Sequence, residues 1–157
     1  MKILEQNKLT EIQKKNLWDL WNNEYPVQLN YEKLEDFNKY IKSLENSFNI
    51  LLLDDGKIIG WAFSFDREGE RWFGIIVSEN YQNKRYGSLM LKKLKEHESQ
   101  LNGWVIDKTN YYYKKNDKPY KSPIDFYLKN EFKIINDSIL ETPKFSAIKI
   151  TWSKLIF

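Results

Sequence analysis

Ile75-Ile76-Val77-Ser78-Glu79-Asn80-Tyr81-Gln82-Asn83-Lys84-Arg85-Tyr86-Gly87-Ser88-Leu89 is the most informative stretch of the chain. It opens on an aliphatic run, passes through a polar turn, and enters a pattern in which Tyr86, Met90 and Leu94 recur at four-residue spacing. That is a buried strand, a loop and the start of an amphipathic helix. A helix start presents unpaired N–H groups and the positive end of the helix dipole. Successive N–H groups in such a loop form an anion cradle. Gly87 lets a ligand approach the backbone, and Lys84 and Arg85 add charge where a diphosphate would lie. Residue types alone also allow an ordinary strand–helix turn with a solvated basic cap.

Working back toward the N-terminus, Trp72–Val77 is preceded by two more strand patterns. Ile59, Trp61, Phe63 and Phe65 alternate, Ile50–Leu53 is a buried-strand run, and the pair Asp55-Gly56 is a tight turn between them. With the polar turn Asp66–Glu70 this predicts an antiparallel three-strand meander. Before it lie two helices. Thr10 and Gln13 have capping-box spacing ahead of Leu17, Leu20 and Trp21, and Pro26 ends that helix. Asn30 is the expected N-cap of the second, whose apolar stripe is Leu34, Phe37, Ile41 and Leu44. Lys2–Glu5 reads as a short first strand.

Working forward, the helix from Tyr86 is expected to run to about Gln100, with Gly103 as its stop. Trp104–Asp107 is the next strand, and pairing it parallel to Trp72–Val77 gives a right-handed crossover. Thr109–Ser122 is a tyrosine- and lysine-rich loop. Pro123–Asn130 reads as a short helix, and Phe132–Ile135 and Phe145–Trp152 as closing strands. The order is βααβββαβαββ, with no linker or repeat, so residues 1–157 are expected to form a single domain.

Composition narrows the chemistry. The chain has 157 residues, 41% hydrophobic and 16% aromatic, enough to build a core without disulfides or metal. With no cysteine, thiol nucleophiles, Fe–S clusters and Cys-ligated zinc are excluded. The single histidine, His97, rules out multi-His metal sites and, late in the long helix, reads as a partly exposed helix residue; no metal site is expected. The net charge of +3 does not call for nucleic acid. No apolar run is long enough to span a bilayer, and residues 1–8 carry no signal h-region. A cytoplasmic protein with no membrane partner is expected.

The central stretch resembles the acetyl-CoA-binding motif of the GNAT N-acetyltransferase superfamily: a hydrophobic strand, Gln/Arg-x-x-Gly-x-Gly/Ala, then a helix. Gln82 matches the first motif position and Gly87 the last, while Arg85 stands where the family usually has glycine. Asp125-Phe126-Tyr127-Leu128-Lys129-Asn130-Glu131-Phe132 resembles the late Phe-Tyr-x-Lys-x-Gly-Phe motif, with Glu131 in place of another glycine. The element order is also the family's. The resemblance covers nearly the whole chain and implies an α/β (α+β) fold: a mixed, mostly antiparallel central sheet flanked by helices.

It implies an acetyl-CoA-dependent acyltransferase as well, acting by direct attack of an amine in a ternary complex. Ile75, Ile76 and Val77 would hold the pantetheine arm and polarise the thioester. Gln82, Asn83, Lys84, Arg85, Tyr86, Gly87 and Ser88 would surround the diphosphate. Tyr127 matches the tyrosine that protonates the departing thiolate, against a plain core role. Asn110 is aligned with a cofactor-contacting asparagine. The general base stays open among Glu24, Glu70, Asp107 and water, each carboxylate reading equally as a solvated surface charge. Trp61 and Trp72 read as core, with an acceptor-pocket wall as the other role. The acceptor is a small-molecule or peptide amine. The aromatic C-terminal strand could support a homodimer. The alternatives are a non-catalytic acyl-CoA-binding module, motivated by Arg85 and Glu131, and a nucleic-acid-binding module using the loop lysines Lys114, Lys115 and Lys118. For the loop itself, a mobile solvated segment or lid is the favoured expectation.

Overall fold

The computed structural model describes residues 1–107 and 111–154. The elements are β1 (Lys2–Gln6), α1 (Glu11–Glu24), α2 (Leu34–Ser43), β2 (Glu45–Asp54), β3 (Lys57–Arg67), β4 (Glu70–Val77), α3 (Tyr86–His97), β5 (Gln100–Val105), α4 (Ile124–Lys129), β6 (Lys133–Glu141) and β7 (Ser146–Ser153). This is the expected βααβββαβαββ order. The strands form one seven-stranded sheet in the order β1-β2-β3-β4-β5-β7-β6. Every neighbouring pair is antiparallel except β4–β5.

Local chemistry accounts for most boundaries. Thr10 and Gln13 close the expected capping box on α1. The β2–β3 and β3–β4 turns place Asp55-Gly56 and Glu68-Gly69 at positive φ, the conformation that two-residue hairpin turns require. Along β3, Trp61, Phe63 and Phe65 point into the layer formed with α1 and α2, together with Leu17, Trp21, Phe37, Trp72 and Ile76. On the other face, α3 brings Met90, Leu91 and Leu94 against Ile50, Leu52, Ala62 and Phe73, and α4 adds Tyr127. The sheet is therefore packed on both faces, with its two helix pairs on opposite sides.

Several expected boundaries move. Asn30 does not cap α2; it follows a 3-10 turn at Val27–Leu29, and α2 begins after Lys33 with no side-chain cap. The helix from Tyr86 stops at His97, not near Gln100. There Glu98 turns extended and accepts hydrogen bonds from Ser64 (2.8 Å) and Arg71 (2.9 Å), which pins the chain to the sheet. Consequently β5 starts at Gln100 and Gly103 lies inside it. Gly103 is a close-approach residue: a Cβ there would stand 2.8 Å from the Phe73 ring, which lies across β5. The final hairpin is also longer than expected. The tyrosine-rich segment is ordered into a small hairpin, with Tyr112 bridged to Pro119 and Tyr120 donating its N–H to the Tyr111 carbonyl. Tyr111 and Tyr113 are half-buried, Tyr112 is exposed, and Tyr120 is buried. The expectation of a solvated loop is corrected for this part: its aromatic rings pack with Ile106, Ala147 and Leu29. Asn110 and Thr109 lie outside the described residues.

Candidate active site

Strand β4 is paired to β3 along its whole length but to β5 at one position, Trp72↔Asn102. Beyond that pair the two parallel strands part. Ile75, Ile76 and Val77 keep their β3 partners Ala62, Trp61 and Gly60, and their other edge has no ladder partner among the described residues. An extended chain laid into this opening would meet a row of free backbone donors and acceptors.

Directly after Val77 the chain makes a 3-10 turn at Glu79–Tyr81, then Asn83 and Arg85 take left-handed backbones with φ of 62° and 68°. Arg85 occupies the N-cap of α3 and makes no side-chain capping bond. The first amide reaching back to the cap is Leu89, 3.0 Å from the Arg85 carbonyl. The N–H groups of Tyr86, Gly87 and Ser88 thus lie ahead of the first helical bond at the positive end of the helix dipole. Gln82, Asn83, Lys84 and Arg85 are exposed around them. Gln82 ties the turn back to the strand by donating Nε2–H to the Val77 carbonyl at 2.8 Å. The Tyr81 hydroxyl donates to Asp54 at 2.6 Å and anchors the 3-10 turn. This donor set suits a diphosphate: main-chain N–H groups and the exposed cations Lys84 and Arg85, with no acidic side chain among Gln82–Ser88.

Gly87 turns out to face α4. A Cβ there would sit 3.1–3.2 Å from the Phe126 ring. The start of α3 and the α4 segment are tied further by Asn130, which donates to the Phe126 carbonyl (2.8 Å) and to Ser88 Oγ (3.4 Å). Lys95 of α3 donates to the Asn130 carbonyl at 2.5 Å. Glu131, like Arg85, has a left-handed backbone, with φ of 71°. Both residues standing in for the family's usual glycines therefore adopt the conformation that glycine favours.

These ties set Tyr127. It is buried and edge-on to Phe73 at 5.7 Å, and Phe73 lies across β5 where the strands begin to part. Burial pushes its phenol well above the usual value, and the neighbouring Tyr120 adds to this. Tyr25, reaching in from the end of α1, is raised by burial and then by the phenols of Tyr127 and Tyr120. Three neutral phenols thus gather from α1, the tyrosine hairpin and α4. Only Tyr127 was singled out by sequence. In the hairpin Tyr111, Tyr112 and Tyr113 alternate half-buried, exposed and half-buried, which three identical residues do not show in sequence.

The three carboxylates considered as bases have different surroundings. Asp107 is exposed. Glu70 is ion-paired with Lys149 at 3.1 Å. Glu24 is not a solvated surface charge: its side chain is only 8% exposed and pairs with Lys115 of the hairpin at 3.3 Å. Burial raises its pKa, with Lys115 opposing, and Lys115 also binds Glu79 at 2.8 Å. Trp61 is core, its indole donating to Asn49 at 3.0 Å. His97 packs on Phe48 of β2, ring centroids 4.1 Å apart, and lies 3.5 Å from Glu5 of β1. Among the described residues no group of three or more His, Cys, Asp or Glu is arranged to hold a metal ion. No helix among them is long and apolar enough to cross a membrane.

A family model described as acetyltransferase (GNAT) family matches residues 14–111. The chain belongs to this family. As an acetyltransferase of the GNAT type it uses acetyl-CoA. Solved structures agree in fold. An aminoglycoside 6′-N-acetyltransferase complexed with coenzyme A superposes with a TM-score of 0.71 at 13% identity, covering 98% of this chain and 97% of that one. The aminoglycoside 6′-N-acetyltransferase from Enterococcus faecium gives 0.70 at 13% identity, with the same coverage. A ribosomal-protein-alanine N-acetyltransferase from Brucella melitensis gives 0.67 at 13% identity over 96% and 99% of the two chains. No curated protein sequence matches the chain.

Proposed function

We propose that this acetyltransferase moves the acetyl group of acetyl-CoA onto a primary amine by direct attack, both substrates being bound together. The observation that carries this is the single β4–β5 pair: the sheet opens beside Tyr127 and leads to the uncapped start of α3. When bound, acetyl-CoA supplies an acetyl group activated as a thioester.

The chain's residues divide the remaining work. Backbone groups of Ile75, Ile76 and Val77 pair with the pantetheine arm, and one N–H in this row polarises the thioester carbonyl. Main-chain N–H groups from Gln82 to Ser88, with the Lys84 and Arg85 side chains, hold the diphosphate. Tyr127 is kept protonated by burial and stands ready to give a proton to the departing sulfur. Holding amine against thioester supplies much of the acceleration. Relatives of like fold are named for aminoglycoside and ribosomal-protein acceptors. A small-molecule or peptide amine is proposed here. Glu24, Glu70, Asp107 and water are the candidates for taking the amine proton; of the carboxylates, Glu24 is the one held in a buried setting.

Two observations weigh against the non-catalytic readings. Arg85 and Glu131 hold the backbone that their glycine counterparts would, so the cradle keeps its shape. Of the loop lysines, Lys115 is engaged by Glu24 and Glu79, which lowers the charge offered to a nucleic acid. The test is thermal unfolding with acetyl-CoA, CoA and ATP, followed by amine-dependent thiol release. Saturation at ~100 times the dissociation constant adds about 2.7 kcal/mol, several degrees in Tm. Stabilisation by acetyl-CoA and CoA but not ATP, with thiol release on adding amines, is expected. Stabilisation without release under any amine would favour the binding module.

A further inference from the structure

The opening between β4 and β5 has two lips. One is β5 past Asn102, running on through Val105 to Ile106; the other is β4 past Trp72, followed by Ser78 and Glu79. The tyrosine hairpin, residues 111–120, reaches both. Its base packs on the β5 side, where Tyr111, Tyr113 and Tyr120 share a cluster with Ile106 and with Ala147 of β7. There the Ser146 N–H donates to the Tyr111 hydroxyl at 3.0 Å. Its middle is tied to the turn after α1: Tyr113 bridges Pro26, and the Val27 N–H donates to the Tyr112 carbonyl at 2.9 Å. Its tip reaches the β4 side, where the Lys115 ammonium donates to Glu79 at 2.8 Å and to Glu24, at the end of α1, at 3.3 Å.

The hairpin therefore crosses from lip to lip. At the crossing, the phenols of Tyr25 and Tyr120 neighbour that of Tyr127, which comes from α4 on the other face of the sheet. The two ends of the crossing are held by different forces. The base is held by burial: Tyr120 is buried, and releasing it would expose an aromatic ring to water. The tip, from Lys114 to Lys118, is exposed, and its bond to the β4 side is ionic. Ion pairs near water are weak and screened by salt. A segment anchored at one end by apolar packing and fastened at the other by one lysine is built to hinge.

We propose that this hairpin is a latched strap over the acceptor side of the opening, shut while Lys115 holds Glu24 and Glu79, and that an acceptor amine enters when the tip lifts. This rests on the acetyl-transfer reading above. The strap is tied to α1 and the turn that follows it, whereas α3, whose start is the diphosphate position, packs on the opposite face of the sheet. Lifting the tip therefore opens the acceptor side and leaves the cofactor side as it was. Lys115 is then a specificity residue. A small amine needs only a brief lift, while a peptide needs the tip held away, so a tight latch disfavours the larger acceptor. No covalent bond changes in the strap; its work is the separation of one ammonium from two carboxylates.

The experiment uses the full chain with saturating acetyl-CoA and two acceptors, n-butylamine and a lysine-bearing pentapeptide with a blocked N-terminus, and weighs the acetylated products by mass. Lys115→Gln is expected to raise kcat/KM at least threefold for butylamine and more for the peptide, with the CoA-induced shift in Tm unchanged. Hydrogen exchange of the Val27 amide, which the strap covers, should quicken in the same variant. The converse is a lock. The chain has no cysteine, and Pro26 and Tyr113 face each other as a bridge pair, within reach of a disulfide. Pro26→Cys with Tyr113→Cys should lose transfer at least tenfold when oxidised and regain it on reduction, keeping the CoA-induced shift in both states. Should the double variant fail to fold, Lys115→Gln decides by itself. A CoA-induced shift and transfer, with Lys115→Gln no faster than the unaltered chain or the oxidised pair as fast as the reduced, would overturn the strap and leave the transfer reading standing. Absence of transfer in every form would overturn the two together, since there would be no acceptor to admit.

Discussion

Strand β4 has two unlike edges. Toward β3 it is paired at eight positions, from Gly60↔Val77 to Arg67↔Glu70; toward β5 it is paired at one, Trp72↔Asn102. The same residues, Ile75 to Val77, serve both edges, so strand propensity cannot explain the difference. A backbone hydrogen bond lost inside a fold costs about 1 kcal/mol or more when the group stays dry. The closed edge is sealed by side chains that interlock, such as the Phe63 ring lying over Gly74. The open edge is flanked by aromatic groups: β4's own Phe73 lies across Gly103, and Tyr127 from α4 packs edge-on to it. A sheet that leaves an interior edge unpaired and lines it with neutral phenols keeps a slot for an extended ligand.

The largest effect that would sharpen this contrast belongs to the open edge. Tyr127→Phe keeps the ring that packs on Phe73 and Phe132 and removes only the hydroxyl. Loss of a positioned proton donor lowers turnover about a hundredfold or more. Steady-state kinetics should show the fall in kcat with KM for acetyl-CoA changed little. Equal kcat in the variant would take Tyr127 out of the chemistry and leave it a core residue.

The phenols also set a pH dependence. Tyr120 and Tyr127 are buried, and burial holds both above the ordinary phenol value near ~10. Because the folded-state values are raised, their contribution to stability is full below the unfolded value and falls as pH rises past it. Each such phenol removes about 1.4 kcal/mol per pH unit above ~10, and Tyr25 and Tyr40, also raised by burial, add to the slope. Urea unfolding at pH 9, 10 and 11 measures this slope. Tyr127→Phe should lower it by about 1.4 kcal/mol per pH unit, and a slope unaffected by that change would mean Tyr127 already ionises in the folded state.

Glycine substitutions compare the edges directly. In Gly74→Ala the new Cβ meets the Phe63 ring at 2.6 Å, inside a fully paired hairpin. That ring is buried and has nowhere to go, so a loss of about 1–3 kcal/mol is expected. In Gly103→Ala the Cβ meets Phe73 at 2.8 Å, beside the opening. Phe73 can shift toward the unpaired side, so the stability loss is smaller and the CoA-induced shift in Tm changes instead. Chemical unfolding of both variants with and without CoA measures the difference. Equal losses with unchanged CoA response would break the contrast between the edges.

How much of this was legible in the sequence follows the range of the interactions. The capping box at Thr10, the left-handed turn pair Asp55-Gly56 and the alternation in β3 act over a few residues, and the chain shows them directly. The loop and helix start between Gln82 and Ser88 could be read because a helix start is a local event. The end of α3 could not, since it depends on Glu98 reaching Ser64 and Arg71, which lie 34 and 27 residues away. Gly103 looked like a helix stop because nothing local reveals a phenylalanine ring crossing it. The pairings Lys115–Glu24 and Lys149–Glu70 span 91 and 79 residues, and each reads in sequence as two solvated charges.

The smallest expected effect tests whether the cradle is made by backbone or by side chains. Arg85 sits at φ 68° and ψ 11°, the left-handed region, where a side chain costs about 1 kcal/mol. Arg85→Gly removes that strain but gives the unfolded chain more freedom, so a net gain of a few tenths of a kcal/mol is expected. Glu131→Gly is the control: its φ of 71° predicts a similar gain just after α4, with no charge removed from Gln82–Ser88. Stability and CoA affinity measured on both variants separate the two roles of Arg85. If only main-chain N–H groups hold the diphosphate, both variants gain stability and bind CoA as before. If the guanidinium also touches phosphate, Arg85→Gly gains stability and loses affinity severalfold, more so at low salt because the contact is exposed and screened. A loss of stability in Arg85→Gly would mean that the arginine side chain, not the turn, holds the start of α3 in place.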